Sequence, residues 1–315
     1  MTSSAVDARI RALRPPKPYV DPYTAHGSLV EEERRPGGKV ERALTVFLAG
    51  AECPFSCSFC DLWRYTLDGP TPPGALTRQL TTVLALHGAS RPDRIKLYNA
   101  SNWFDPRAVP PDDLPALAAL IAPFSAVTVE SHVSTIGART LEFAKQLGGR
   151  LEVAVGLETI HPAAAAQINK RLDLGRFDRA SRFLAEHDMD LRVFVLLGAP
   201  HVPVSESVDW TVRTVEYAAS LGAAVVSIIP VRGGNGEMER LAALGEFAPP
   251  TLSQLEEALD RCMHLTTTVV TADTWDLERL AACAHCREER AGRLARLNLT
   301  GRPEPHVRCA ICKTA

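Results

Sequence analysis

The sequence predicts an α/β fold of parallel strands joined by helices, on three observations. Six short apolar or β-branched runs recur, at Leu44–Leu48, Arg94–Tyr98, Ala126–Glu130, Leu151–Leu157, Leu191–Leu197 and Ala223–Ile229. Candidate helices fall between them, near 75–88, 113–122, 138–147, 176–188 and 205–220. Two runs, Leu151–Leu157 and Val193–Leu197, are almost wholly apolar, as strands covered on both faces must be. Strand and helix alternating at this rhythm imply parallel pairing through right-handed crossovers. A helix around Leu252–Leu265 and a run at Thr267–Thr271 would add a last unit. The alternation suits an open doubly wound sheet and a barrel equally, and both place chemistry where strands end and loops begin.

Taken in order, residues 1–42 are rich in proline and charge and read as an N-terminal extension. Arg9, Arg11, Arg14 and Lys17 are placed on a solvated arm. The core is expected over 43–275. From 276 the character changes: Arg287 to the C-terminus holds seven basic residues (Arg287, Arg290, Arg293, Arg296, Arg302, Arg308, Lys313) against three acids (Glu288, Glu289, Glu304).

At 315 residues and 46% hydrophobic, the chain can bury one large core with a small appendage. A formal charge of −2 excludes global attraction to nucleic acid or acidic membranes and hides the basic end. Met1–Arg14 lacks the apolar centre of a signal peptide, and no apolar run approaches the ~18 residues of a membrane span. A cytoplasmic protein without membrane contact is expected.

Seven of eight cysteines cluster, as Cys53/Cys57/Cys60, Cys283/Cys286 and Cys309/Cys312, and such local spacing favours metal over disulfides. Cys262 continues the helical spacing Leu252, Leu255, Leu259 and reads as a core thiol. Three thiols at intervals of four and three residues, on a loop made irregular by Pro54 and Ser56, can converge on one cluster. Zinc would want a fourth ligand, and the nearest other cysteines are far along the chain.

In spacing, and in the aromatic Phe59 before the last thiol, Cys53–Cys60 resembles the signature loop of the radical S-adenosylmethionine (SAM) enzymes. The resemblance covers most of 43–232 and implies a partial (β/α)6 barrel with the loop after its first strand. It implies that Cys53, Cys57 and Cys60 hold a 4Fe-4S cluster whose fourth iron takes the SAM amino and carboxylate groups. An electron from a donor such as flavodoxin or ferredoxin then cleaves SAM to a 5′-deoxyadenosyl radical that abstracts hydrogen from a substrate. Phe59 would lie near the adenine, with loop packing as its other reading.

In the family the second strand commonly ends in a Gly-Gly-Glu type segment that binds the SAM amino group. Here Tyr98-Asn99-Ala100-Ser101-Asn102 stands there with no acid, which leaves Asn99, Ser101 and backbone carbonyls. Glu130 and Glu158 close the next two strands and can accept hydrogen bonds from ribose or an amine; exposed or helix-capping acids are the alternative. Arg171, or its neighbour Lys170, would pair with the SAM carboxylate, the guanidinium being suited to a bidentate fork. His132, His161 and His201 fall in rim loops as proton carriers or packing residues.

The set Lys96–Asp105, Val129–Ser131, Val155–Thr159 and Ile168-Asn169-Lys170 is most similar to the branch with the tRNA-thiolating, elongator-type and archaeosine-tRNA lyase enzymes. That resemblance implies a tRNA base as substrate, with a small molecule or peptide as alternatives. In the tail, Cys283-x-x-Cys286 and Cys309-x-x-Cys312 supply four thiolates for structural zinc or a second iron-sulfur cluster. Tail arginines can hold phosphates or balance the thiolate charge. A non-enzymatic metal-dependent binding module or electron carrier is the remaining reading, one that has no need of six strand–helix units.

Overall fold

The computed structural model describes residues 3–88 and 92–312; Lys313 of the basic tail lies outside them. One eight-stranded sheet runs β1 (Gly27–Arg34), β2 (Val40–Phe47), β3 (Arg94–Tyr98), β4 (Ala126–Glu130), β5 (Arg150–Glu158), β6 (Asp190–Leu197), β7 (Val225–Pro230) and β8 (Val269–Ala272), in chain order. From β2 onward all pairs are parallel; β1 is antiparallel to β2. The helices are α1 (Ser3–Ala12), α2 (Ala75–His87), α3 (Leu114–Ile121), α4 (Ala138–Gln146), α5 (Pro162–Gln167), α6 (Leu174–Glu186), α7 (Ser207–Ser220), α8 (Glu237–Ala243), α9 (Leu252–Arg261) and α10 (Arg287–Thr300). No helix among the described residues is long and apolar enough to cross a membrane.

The six expected strands all form, and the run near Thr267–Thr271 becomes β8. Every second residue of β3–β7 (Ile95, Leu97, Val127, Val129, Val153, Val155, Val193, Val195, Val226, Ile228) joins a core with Leu80, Leu117, Phe143, Leu184, Val212 and Leu255 from the helices. Cys262 is fully buried in that core. Helix starts follow local chemistry: the Asp173 side chain accepts from the Arg176 amide at α6, and Thr251 and Gln254 cap α9 reciprocally.

The other face of the sheet curls around a lumen. Contacts between strands that are not neighbours establish this: Arg192 of β6 reaches Glu33 of β1 at 2.9 Å, and the rings of Tyr98 (β3) and Phe194 (β6) meet at 6.4 Å. The lumen floor is a closed set of ion pairs. Glu152, fully buried, takes Arg35 at 2.6 Å, Arg192 at 3.0 Å and Arg94 at 3.6 Å, with the Thr128 hydroxyl donating at 2.8 Å. Lys96 bridges Glu31 and Glu33. Burial alone would raise the Glu152 carboxyl; Arg192, Arg35 and Arg94 outweigh it and hold the group well below the carboxylate range.

One expectation for the chain ends is corrected. The extension is no solvated arm, because β1 completes the sheet and α1 lies on the barrel mouth. Arg9 pairs with Glu237 at 2.9 Å, Arg11 donates to the Ser56 hydroxyl at 3.1 Å, Arg14 pairs with Glu52 at 2.7 Å and Lys17 with Asp68 at 3.0 Å. The tail docks on the barrel through α10, whose Leu294 and Leu297 are buried and which packs on both edge strands. Asn298 exchanges two 2.8 Å bonds with the Ala272 backbone of β8, and Arg34 of β1 donates to the Asn298 carbonyl at 3.2 Å. Helix α10 thus covers both open edges of the sheet. It ends at Gly301, left-handed at φ 62°, whose amide bonds the Leu297 carbonyl at 2.9 Å.

Burial would likewise raise the Glu33 carboxyl, but Arg192 and Lys96 bring it down to about 2 from an ordinary 4.5. A carboxyl depressed in the folded state contributes stability above its unfolded value and loses it as pH falls through the folded one. Urea midpoints should therefore decline between about pH 4.5 and pH 2. Glu33→Gln should flatten part of that decline, and an unchanged slope in the variant would remove Glu33 from the network.

Candidate active site and metal centre

The thiol loop leaves β2 at the C-terminal mouth of the barrel and is clasped by asparagines from three loops, after β3, after α5 and after β7. Asn235 donates to the Ser58 and Cys60 carbonyls at 2.8 and 3.2 Å, while its own oxygen accepts from the Met238 amide at 2.8 Å. Asn169 donates to the Ser56 carbonyl at 2.7 Å and to Asp7 of α1 at 2.8 Å. Asn102 donates to the Cys53 sulfur at 3.4 Å and accepts from the His132 amide at 2.7 Å. The Ser58 amide adds a bond to the Ile168 carbonyl at 3.0 Å.

Burial pushes the Cys60 thiol up to about 12 and raises Cys57 and Cys53 as well, with Lys170 as a counteracting charge at all three. Thiols so buried ionise only with a cation beside them, which is the state a metal cluster imposes. Three thiols on one loop fixed by hydrogen bonds to its backbone are the donor set of a cluster held at three irons, although among the described residues it is the tail cysteines whose sulfurs stand within 4.8 Å of one another. Around them four buried polar atoms lack a protein partner: Ser58 Oγ, Asn99 Nδ2, Ser101 Oγ and His132 Nε2. Buried polar groups are rarely left so, and these four ring the mouth as ready contacts for a ligand.

The remaining expected residues divide. Lys170 is partly buried, pairs with Glu158 at 2.5 Å and sits 6.0 Å from the centre of the Phe59 ring. Burial would lower its ammonium, but Glu158 and Cys57 raise it above the usual lysine value. Glu158 follows a break in register between Gly156 and itself and stands at φ 68°; a side chain at Gly156 would collide with the Glu158–Lys170 pair. Arg171, the preferred carboxylate partner, instead pairs with Asp7 and is half exposed. Lys170 is the cation that faces the thiols.

Phe59 packs at the edge of a second apolar cluster with Ala164, Leu196 and Met238. Glu130 accepts from the Asn99 amide at 2.8 Å, and the amides of Ala100 and Ser101 converge on it too; burial nonetheless raises its carboxyl to about 7. Glu130 therefore fixes the Asn99–Ser101 turn, in which Ala100 stands at φ 54°. His161 caps α5, accepting from the Ala164 amide at 3.1 Å, and His201 pairs with Glu246 at 3.1 Å. His132 alone among the rim histidines presents a buried, unpartnered nitrogen; burial and then Lys170 lower it to about 4, so it is neutral at pH 7. Asn102 and Asn235 carried no sequence signal beyond their place after strands.

At the tail, all four sulfurs of Cys283, Cys286, Cys309 and Cys312 lie within 4.8 Å of one another, with Cys283–Cys309 at 4.0 Å and Cys286–Cys312 at 3.7 Å. Burial and the neighbouring sulfurs push the Cys286 thiol up to about 11. The tail arginines are largely committed: Arg290 to Glu256 at 2.5 Å, the buried Arg293 to Asp260 at 2.8 Å, and Arg296 to Glu304 at 3.0 Å. They tie α10 to α9 and to the strand-free end of the chain, while Arg302 and Arg308 are exposed.

No protein-family model matches the chain, and no curated protein does. Among solved structures, the archaeal Methanocaldococcus infernus Elp3 with an N-terminal deletion is similar at a TM-score of 0.53 and 14% identity, over 73% of this chain and 60% of that one. A radical SAM methyltransferase from Sphaerobacter thermophilus gives 0.52 and 14% over 85% and 81%. Methylornithine synthase (PylB) gives 0.50 and 14% over 71% and 63%. The chain spans less than two thirds of the archaeal Elp3 and of the methylornithine synthase. These likenesses assign the fold, the partial barrel of the radical SAM enzymes.

Removing the clasp should loosen the thiol loop without unfolding the barrel. After reconstitution with iron and sulfide, Asn235→Ala is expected to lose iron about 10-fold faster or more to a chelator than the wild type, the size usual for groups supporting metal ligands. Retention equal to wild type would show that the loop holds its shape unaided.

Proposed function

We propose that the chain is a radical SAM enzyme that abstracts hydrogen from an organic substrate at the barrel mouth. The observation that carries the reading is the clasped loop of three partly buried thiols, ringed by unpartnered polar atoms. When bound at Cys53, Cys57 and Cys60, a 4Fe-4S cluster supplies the electron that cleaves SAM to methionine and a 5′-deoxyadenosyl radical. The chain's own part is to bind and orient. Asn102 donates to the Cys53 sulfur, the Lys170 ammonium offsets thiolate charge and offers a donor to a carboxylate, and Asn99 and Ser101 offer a free donor and a free hydroxyl where SAM's amino acid portion is expected. Neutral His132 can accept or donate at Nε2. The barrel wall keeps bulk water from the reacting atoms. A donor of the flavodoxin or ferredoxin type, in a reducing cytoplasm, completes the scheme.

For the substrate, the resemblance of strand ends favours a tRNA base. Of the tail, Arg290, Arg293 and Arg296 are engaged with acids, which leaves the exposed Arg302 and Arg308 as the arginines for phosphate contact.

For the tail we infer one tetrahedral ion, zinc. With Zn–S bonds of about 2.3 Å, the edge of a thiolate tetrahedron is about 3.8 Å, and the two sulfur pairs stand at 4.0 and 3.7 Å. Thiolates on four separate irons of a cubane lie farther apart, so the spacing favours a single ion. Its role is to fold the ends of α10 against the barrel.

Anaerobically reconstituted protein reduced with dithionite should release 5′-deoxyadenosine from SAM, and Cys57→Ala should release none. Full cluster occupancy without 5′-deoxyadenosine would overturn the reading. Metal analysis should find one zinc and about four irons per chain. Cys309→Ser should lose the zinc and keep the iron; loss of iron and sulfide instead would assign the tail to a second cluster.

A further inference from the structure

A groove of about 460 Å³ runs outside the barrel, between α6 and the turn Val133–Thr135 that follows β4. That size is in the range of small-molecule sites. Helix α6 turns Phe177, Ala180, Ser181 and Leu184 into the core, so Arg176, Arg179 and Phe183 fall on the flank that faces the turn. The groove is two-sided in character. Its floor is apolar, with Val133 buried and Ile136 and Phe183 half-buried, and its lip is polar, with Ser134, Arg176 and Arg179 all exposed.

The charge on that lip is not balanced as it is around the barrel. Lys96, Lys170, Arg192 and Arg232 each stand against an acid, whereas Arg179 makes no ion pair among the described residues. Arg176 has one, with Asp173 at 3.1 Å, and both partners are more than half exposed, where such a pair holds little. Asp178, the other acid of this stretch, is turned away to the Tyr217 hydroxyl. Two guanidiniums three residues apart on one helix face repel each other, and an anion shared between them removes that cost. The Arg179 guanidinium also lies back over Gly175, in the first turn of α6, where the helix dipole favours negative charge. The groove adjoins the candidate active site: the Ser134 hydroxyl and His132 Nδ1 are 2.7 Å apart, and the His132 ring meets Phe55 of the thiol loop at 4.2 Å.

We infer that this groove binds a nucleotide unit, its phosphate held by Arg176, Arg179 and Ser134 and its ring laid on Ile136 and Phe183. An anion alone would use the lip and leave the apolar floor bare; an apolar ligand alone would leave the two cations unanswered. A nucleotide uses both. The inference deepens the reading of the substrate as an RNA base and rests on it for its meaning: a strand whose target base enters the barrel mouth would set a neighbouring nucleotide here. A free nucleotide offers the same phosphate and ring, and the two sources are separated by the test.

Uridine 5′-monophosphate serves as the probe, titrated into the full-length protein by ligand-observed NMR, with uridine and ribose 5-phosphate as controls. The nucleotide should bind saturably, about 10-fold or more tighter than uridine, which lacks the charge, and tighter than ribose 5-phosphate, which lacks the ring. Arg176→Ala and Arg179→Ala should each weaken it about 10-fold, the order of one lost charge-assisted contact. Arg182→Ala removes the same charge from the same helix outside the groove and should leave binding nearly unchanged. All three side chains are exposed, so the variants should keep the wild-type circular dichroism spectrum. Uridine binding as tightly as its monophosphate, ribose 5-phosphate binding as tightly as the nucleotide, or wild-type affinity in the Arg176→Ala/Arg179→Ala double variant would overturn the proposal. Displacement of the probe by total tRNA, with weaker tRNA binding by the double variant, assigns the nucleotide to RNA; probe binding that tRNA leaves untouched assigns it to a free nucleotide. Because the titration needs neither SAM nor reductant, loss of the groove site and failure to form 5′-deoxyadenosine are separate results.

Discussion

The buried carboxylate of Glu152 is the constraint around which the barrel is arranged. It binds guanidiniums from the turn after β1, from β3 and from β6, and a hydroxyl from β4, so five parts of the sheet meet at one residue of β5. An unpaired charge at such a position costs several kcal/mol, and a full complement of partners is the condition for placing it there. Satisfying Glu152 requires β1, β3 and β6 to approach each other across the lumen, which a flat sheet does not allow. The curl that brings them together also sets the strand ends in an arc, with the thiol loop over its centre.

Much of this was legible in the sequence, because the outward face of each parallel strand is apolar and helices of ordinary amphipathic pattern cover it. The inward face was harder to read. Residues such as Lys96, Glu152 and Arg192 look like surface charge on a one-dimensional pattern, and only closure of the sheet shows them to be interior. The same ambiguity concealed β1: Glu31-Glu32-Glu33-Arg34 resembles a solvated run, but Glu31 and Glu33 face Lys96 and Arg192. Helix α10 escaped for a related reason, since Arg290 and Arg293 occupy positions on its buried face where apolar residues would have revealed a helix.

At the site, the thiols were evident from spacing, while the groups that hold them were not. Asn102, Asn169 and Asn235 come from three different loops, and nothing in an isolated asparagine tells which acceptor it will reach. Arg171 and Lys170 show the limit of reasoning from side-chain chemistry. A guanidinium is the better carboxylate partner, yet Asn169 and Arg171 both stand in left-handed conformations, at φ 57° and 59°, and the backbone path turns Arg171 toward α1 and Lys170 toward the thiols. Backbone direction outweighs functional-group preference here.

The seam under α10 has a consequence for how the molecule comes into being. Arg34 and Asn298, which join across it, are separated by 264 residues, so the outer flank of the first strand meets its partner only when the chain has been made through α10. Until then the nascent sheet carries two unprotected edges, the arrangement most open to pairing with another chain. We expect the interval between synthesis of β8 and docking of α10 to be the vulnerable moment in the life of this protein, one that an ion held by the four tail cysteines would shorten.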